Sequence, residues 1–281
     1  MKGNKMKIRV YSDIHLDSKL HRTGQFWYPK ELENDNETVL VLAGDIASGL
    51  VAFEKFEYRM NDGTIININE PWIVTMSRRF KDVIVVLGNH DNWYQFDLMY
   101  DAEEIKNVVK NLGLLNVHVL EKDSVMIDGI CFIGTTMWTN ITDPVSAMPA
   151  TINRTMTYDG HIKVGRNELA SCWNDVHKRC YDFLETELKR CYDNGIPAIV
   201  VTHHVPSETL LNTKYAGFKS NQYFFTSAEK LMDEYGPLMW FYGHTHYPNS
   251  KMIFDTLCIN NAVGYFSETT NYNDAVIDLS L

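Results

Sequence analysis

Cysteine is scarce and unpaired in this sequence: five in 281 residues (Cys131, Cys172, Cys180, Cys191 and Cys258), odd in number and without a CxxC spacing. The pattern argues against a disulfide-stapled scaffold and leaves a thiolate metal site no close pair to start from. Basic charge is short as well. Lys and Arg number 26 against 36 Asp and Glu, a net charge of −10. A protein that tracks long duplex nucleic acid through clustered cations is therefore not expected. No apolar run approaches the roughly 20 residues of a membrane span. The start, MKGNKMKIRVYSD, carries neither an h-region nor a small-residue cleavage site. Internal repeats, low-complexity tracts and linkers are missing too. The 45% apolar and 22% charged residues are ordinary for a folded protein. The expectation is a cytoplasmic protein built as one domain over 1–281, its cysteines reduced and structural.

What the chain does have is a recurring arrangement. Five apolar, β-branched runs (MKIRVYSD, TVLVLAGD, VIVVLGNHD, AIVVTHH and LMWFYGHTH) each end in a short polar segment. Runs of this kind, bounded by Gly and polar residues, read as buried strands. The polar ends are Asp13-x-His15, Gly44-Asp45, Gly88-Asn89-His90-Asp91, His203-His204 and Gly243-His244-Thr245-His246. Binding groups in open α/β sheets converge at the carboxyl ends of strands. Asp13, Asp45, Asn89 and six of the ten histidines thus occupy equivalent strand ends. Together they offer enough oxygen and imidazole for two divalent cations.

Between these ends, strand-like and helix-like segments alternate, which points to an α/β core. The stretch 17–37 is polar and lacks strong periodicity. FEYRMNDGTIININ places Asp62-Gly63 between two extended runs, a β-hairpin signal, and reads as an insertion near 50–70 ahead of a helix at WIVTMSRRF. DAEEIKNVVKNL is an amphipathic helix ended by Gly113, followed by strands at VHVL, SVMID and ICFIGTTMW. Residues 139–165 form a long irregular, lid-like loop, and 166–193 a long helix or helix pair. TSAEKLMDEYG reads as a short helix capped by Thr226 or Ser227, with Gly236 past its end. TLCINNAVGY and DAVIDLSL supply closing strands.

Hydrolysis of a phosphate ester needs an anion neutralised and a hydroxide made near neutral pH. Two cations about 3.5–4 Å apart do both, and a bridging carboxylate with neutral imidazoles suits such a pair. The ordered set DxH…GD…GNHD…H…GHxH, spanning residues 13 to 246, resembles the calcineurin-like metallophosphoesterases. The tail NNAVGYFSE is similar to the closing loop of bacterial and phage-type members. The resemblance implies a four-layer α/β/β/α sandwich with two mixed β-sheets. It also implies one metal on Asp13, His15, Asp45 and His246, a second on Asp45, Asn89, His203 and His244, and Asp45 as the bridge. His90 would stand beside the metals to protonate the leaving group or hold the phosphate. The implied reaction is in-line attack on phosphorus by a metal-bridging hydroxide, with no covalent phosphoenzyme. Manganese heads the candidate cations, with iron, zinc or nickel as alternatives.

Simpler readings compete at single positions. Asp13 and Asp45 alone would pass as helix N-caps, and Asn89 alone as a turn residue; their histidine partners in register tip the balance. His244 and His246 flank one residue and so point the same way on extended backbone. His204 and Arg154 are candidate substrate contacts, each set against plain packing or a solvated loop charge. Asp91 reads as structural support, and Asp17 as a cap or pair near its loop. His161 is weighed like Arg154. Trp93, Tyr94 and Trp138 are offered for stacking a nucleobase, with packing favoured for at least two of them. The expected activity is a phosphodiesterase acting on a small or nucleotide-derived phosphoester. A protein Ser/Thr phosphatase on the same site is the first alternative, a nuclease the second and a catalytically silent metal-binding scaffold the third. The phosphatase would need an open groove, whereas 47–80 and 139–165 are expected to build walls.

Overall fold

The computed structural model describes residues 5–91, 102–144 and 166–280. The first half of the chain runs β1 (Lys5–Tyr11), α1 (Leu16–Thr23), β2 (Thr38–Ala43), β3 (Phe56–Arg59), β4 (Ile65–Ile68), α2 (Trp72–Arg79), β5 (Asp82–Val86), α3 (Glu103–Asn111) and β6 (Val117–Val119). It continues with β7 (Asp123–Ile127), β8 (Ile130–Thr135), α4 (Arg166–Asp193), β9 (Ala198–Thr202), α5 (Glu229–Tyr235), β10 (Met239–Tyr242), β11 (Asn249–Ile253), β12 (Thr256–Asn260) and β13 (Ile277–Ser280). One sheet has the order β13-β1-β2-β5-β6 and the other β11-β12-β10-β9-β8-β7. In each, four neighbouring strands are parallel, with antiparallel strands only at edges: β13 in the first sheet, β7 and β11 in the second.

Two-residue periodicity sorts every central strand between two layers of core. In β2, Val39, Val41 and Ala43 face a cluster shared with Ile199, Val201 and Phe241 of the opposite sheet. Leu40 and Leu42 face outward onto Trp72, Ile73 and Met76 of α2 and Ile105 of α3. The second sheet repeats the logic: Phe132, Val201 and Phe241 point to the seam, while Ile133, Val200 and Trp240 pack against Leu184 and Leu188 of α4 and Leu231 of α5. Strands buried on both faces read as unbroken apolar runs, and the result is the expected α/β/β/α layering.

The hairpin forms at β3 and β4, Phe56 opposite Ile68 and Arg59 opposite Ile65, and Asp62 Oδ1 accepts the Thr64 N–H at 2.9 Å in its turn. Two expectations need correction. The 17–37 stretch begins with helix α1, and α5 starts at Glu229 from Ala228 with no side-chain cap. Thr226 is taken up instead by the strand-like bridge beside Val205, its N–H donating to Val205 O at 2.9 Å. Of the lid-like loop, 139–143 carries no helix or strand, Pro144 is helical, and 145–165 lies outside the described residues.

Candidate metal centre and substrate cavity

The carboxyl ends of β1, β2 and β5 meet those of β9 and β10 along one edge of the sandwich, so half of the site comes from each sheet. The loops are stitched by main-chain bonds. Asp13 N–H donates to Gly44 O (2.9 Å), His15 N–H to Asp45 O (3.0 Å), and Gly243 N–H to His203 O (2.9 Å). Across the seam, His244 N–H donates to both Asp13 carboxylate oxygens, at 3.0 and 3.1 Å. Asp13, His15, Asp45, His244 and His246 all have left-handed backbones, with φ between 47° and 71°. Such residues cost energy alone and persist where the surroundings over-determine them, as at binding sites. The motif glycines admit the ligand side chains: a Cβ on Gly88 would strike the Asp45 carboxylate, and one on Gly243 would sit 2.7 Å from Asp13 Oδ2.

Two sets of donor atoms converge. Asp13, His15 and His246 form one, with His15 Nε2 and His246 Nε2 3.0 Å apart and His246 Nε2 3.4 Å from Asp13 Oδ1. Around His203 Nε2 lie Asn89 Oδ1 at 3.0 Å, His244 Nδ1 at 3.3 Å and Asp45 Oδ1 at 3.4 Å. Asp45 stands between the sets, its other oxygen 3.9 Å from His15 Nε2. Outer hydrogen bonds turn ring nitrogens inward. His203 Nδ1 donates to Ala43 O (3.0 Å) and His246 Nδ1 to Glu268 Oε2 (2.5 Å). Two carboxylates, one amide oxygen and four imidazoles make a hard-to-borderline donor set that fits Mn, Fe, Zn or Ni. His244 turns Nδ1 to this set, and its Nε2 is buried with no partner among the described residues.

The electrostatics follow from burial and proximity. Burial opposes charge on every group here. It is outweighed at Asp45 by His203 and His90, and at Asp13 by His246, so both carboxyls sit below the usual range. The same pairings lift His203 and His246 to about 9 against their burial. His15 is pushed down to about 4 by burial, and His244 well down by burial and its neighbours His204 and His203. His203 and His246 must each give up a proton before ligating a cation.

His90 is tied to Asp45 by its backbone N–H, 2.8 Å from Oδ1, while its Nε2 stands 4.0 Å from Asp45 Oδ2. Asp91 supports the loops, its carboxylate accepting N–H groups of Gly88 (2.6 Å), Asp45 (2.8 Å), Ile46 (3.1 Å) and Ala47 (3.0 Å). Asp17 accepts from Ser48 Oγ at 2.9 Å. His204 is fully buried behind His244, ring centroids 4.3 Å apart, with Nδ1 3.2 Å from Thr136 O. It does not line the cavity, and the geometry gives it packing and a main-chain bond. Trp138 packs on Trp173 with centroids 4.6 Å apart and is likewise buried. Arg154, His161, Trp93 and Tyr94 fall outside the described residues.

A cavity of about 550 Å³ opens onto Asp45, Asn89, His90, His244 and His246. Its walls come from 211–224, where Tyr215, Phe218, Tyr223 and Phe224 contribute rings, and from Tyr247, Tyr265 and Glu268. Among the described residues, neither the hairpin nor 139–144 lines it, and the rest of the 139–165 loop lies outside them. Tyr265 and Glu268 lie in the NNAVGYFSE tail, which the sequence marked as a closing loop without giving either side chain a role; the 211–224 segment has no periodicity.

The model of the family described as calcineurin-like phosphoesterase matches residues 6–248, a span that contains every strand-end motif. The chain belongs to that family. This calcineurin-like phosphoesterase is a phosphoester hydrolase by family. It is 29% identical over 296 residues to an uncharacterized protein of Acanthamoeba polyphaga mimivirus, covering 97% of this chain and 96% of the relative. The crystal structure of a phosphopantetheinyl hydrolase from Mycobacterium tuberculosis has the same fold, with a TM-score of 0.58. Identity there is 16%, over 94% of this chain and 91% of that one. No helix among the described residues is long and apolar enough to cross a membrane.

Proposed function

We propose that this phosphoesterase uses two divalent cations to hydrolyse a phosphodiester bond in a small or nucleotide-derived substrate. Asp13, His15 and His246 would hold one cation, and Asn89, His203 and His244 the other, with Asp45 shared between them. The observation that carries the reading is the placement of Asp45. Its two oxygens face different imidazoles, His203 from one side and His15 from the other. When bound, the cations supply Lewis acidity toward phosphate oxygens and a lowered water pKa.

The chain's own residues do the rest. His90, at the cavity wall beside Asp45, is the group placed to protonate a departing oxygen. The rings of Tyr215, Phe218 and Tyr223 form a recess suited to a flat organic group. That recess favours a small molecule over a phosphorylated protein surface, and the net charge of −10 disfavours long nucleic acid.

The test is hydrolysis of an aryl phosphodiester beside an aryl phosphomonoester by chelator-stripped protein, with Mn²⁺, Ni²⁺, Zn²⁺ or Mg²⁺ restored in turn. Metal-dependent turnover favouring the diester is the expected result. A preference for the monoester would transfer the assignment to a phosphatase. Bound metal without turnover of either ester would favour a scaffold.

A further inference from the structure

We propose that Tyr265 is a positioning residue of this site, its hydroxyl holding the His90 imidazole and its ring holding His15. The proposal rests on the reading of His90 as proton donor. Tyr265 stands outside the five strand-end motifs, in the NNAVGYFSE tail that follows β12. Its Oη lies 3.1 Å from His90 Nε2. Its ring lies against His15, centroids 4.1 Å apart and planes inclined by 22°, and meets His246 at 4.8 Å. One side chain thus touches the candidate acid and two candidate ligands.

The loop that carries Tyr265 is locked to the first motif. Val263 N–H donates to Ser12 O and Gly264 N–H to Asp13 O, both at 2.9 Å. The buried Lys19 ammonium donates to Ile14 O and Gly264 O, both at 2.5 Å. Gly264 has a left-handed backbone (φ 78°), and a Cβ there would sit 2.7 Å from Thr270 Cγ2, so only glycine is at ease. Glu268 completes the clamp. Its Oε2 accepts the Tyr265 N–H at 2.9 Å and the His246 Nδ1–H at 2.5 Å. The Tyr265 backbone is thereby tied to Asp13 through Gly264 and to His246 through Glu268.

The chemical consequence lies in the torsion of His90. The terminal torsion of an imidazole is broad, and a proton donor works only when its N–H faces the departing oxygen. With Nε2 protonated, the phenol oxygen accepts from it in the resting site and holds that nitrogen toward the cavity, where a departing oxygen would take over the N–H. The ring face against His15 does a separable job, holding the ligand in its rotamer.

Tyr265→Phe keeps the ring and removes the hydroxyl, and Tyr265→Leu removes both. Full-length protein reconstituted with Mn²⁺ would be assayed on phenyl and p-nitrophenyl diesters, alone and in a His90→Ala background. Metal content would be measured on the same samples. Tyr265→Phe is expected to keep metal content while lowering kcat roughly 10-fold on the phenyl ester, the scale of one lost hydrogen bond. The loss should be smaller on the p-nitrophenyl ester and nearly absent once His90 is alanine. Tyr265→Leu is expected to lower Mn²⁺ retention as well. In ¹⁵N spectra of metal-free protein, the His90 ring signals should move in Tyr265→Phe. Wild-type kcat in Tyr265→Phe, an equal loss with and without His90, or unmoved His90 signals would each overturn the proposal. Failure of wild type on both esters with every metal would instead sink the phosphoesterase reading. The His90 signals would then still decide the contact.

Discussion

Gly44→Ala separates backbone strain from ligand displacement at the centre of the site. Gly44 has φ 84°, and a Cβ built there falls 2.6 Å from His203 Cγ and 2.8 Å from His203 Cβ. Side-chain carbons ordinarily approach no closer than about 3.5 Å, so the ring must retreat by roughly 1 Å. It has little room, being fully buried with Nδ1 pinned to Ala43 O. The left-handed backbone costs about 1–2 kcal/mol with a side chain, and overpacking a full core about 1–3 kcal/mol more. Gly63 supplies the control: its φ is 87°, yet a Cβ there meets nothing within 4 Å. Gly63→Ala should lose about 1–2 kcal/mol through strain alone. Urea denaturation of both variants in chelator, with metal stoichiometry measured after reconstitution, reads the two contributions. Gly44→Ala is expected to be destabilised beyond Gly63→Ala and to bind fewer than two cations per chain. Equal losses in the two variants, with full metal occupancy in both, would show that His203 is not held by the close approach of Gly44.

Asp45→Asn removes the one carboxylate facing both donor sets. Metal analysis should show depleted cations, and turnover should fall steeply; near wild-type values for both would refute the shared-ligand assignment. His90→Ala should keep its metal yet slow turnover by ~10²–10⁴-fold on esters with poor leaving groups and less on good ones. Equal losses across leaving groups would argue against His90 as the acid. The site histidines on their own place the stability maximum of the chelated protein near pH 6.5. His203 and His246 are raised to about 9, so the stability they contribute is complete below 6.5 and lost as pH rises toward 9. His204 and His15 are lowered to about 3 and 4, chiefly by burial, so their contribution is present above 6.5 and lost as pH falls. Calorimetric melts from pH 4 to 9.5 test this, and a flat profile between 6.5 and 9 would refute the His203 and His246 pairings. Metal uptake at pH 7 should also release protons, seen as a buffer-dependent heat.

Much of this molecule could be read from its sequence because strand burial and site chemistry share one pattern. Val39, Val41 and Ala43 mark β2 by their β-branched and small side chains, and Asp45 stands two residues beyond its end. Asn89 likewise follows β5 by three residues, and His203 follows β9 by one. Helix α1 escaped because one of its buried positions is Lys19. Only the carbonyls of Ile14 and Gly264 make that ammonium acceptable, and Gly264 is 245 residues away. The start of α5 was misplaced because Thr226 serves a bridge to Val205 before it could serve a cap. The cavity wall at 211–224 is built of short 3-10 turns. Tertiary contacts decide where its rings point, and no period of two or 3.6 betrays them. Tyr265 and Glu268 lie in the NNAVGYFSE tail, but their individual roles were illegible for a related reason. Their partners His15, His90 and His246 are near in space, but the nearest lies 19 residues before Tyr265 and the farthest 250.

Because the two sheets contribute alternate shares of the donors, the order of synthesis matters. A nascent chain through β5 already exposes Asp13, His15, Asp45, Asn89 and His90. His203 arrives with β9, His244 and His246 only with β10, and the Tyr265 clamp after β12. A cation met early would find a loose, incomplete set of ligands on half a sandwich. Full affinity becomes available only when the last parallel strand slots into the second sheet. Metal loading on the proposed ligands would thereby be a late event, with the finished seam between the sheets as its checkpoint.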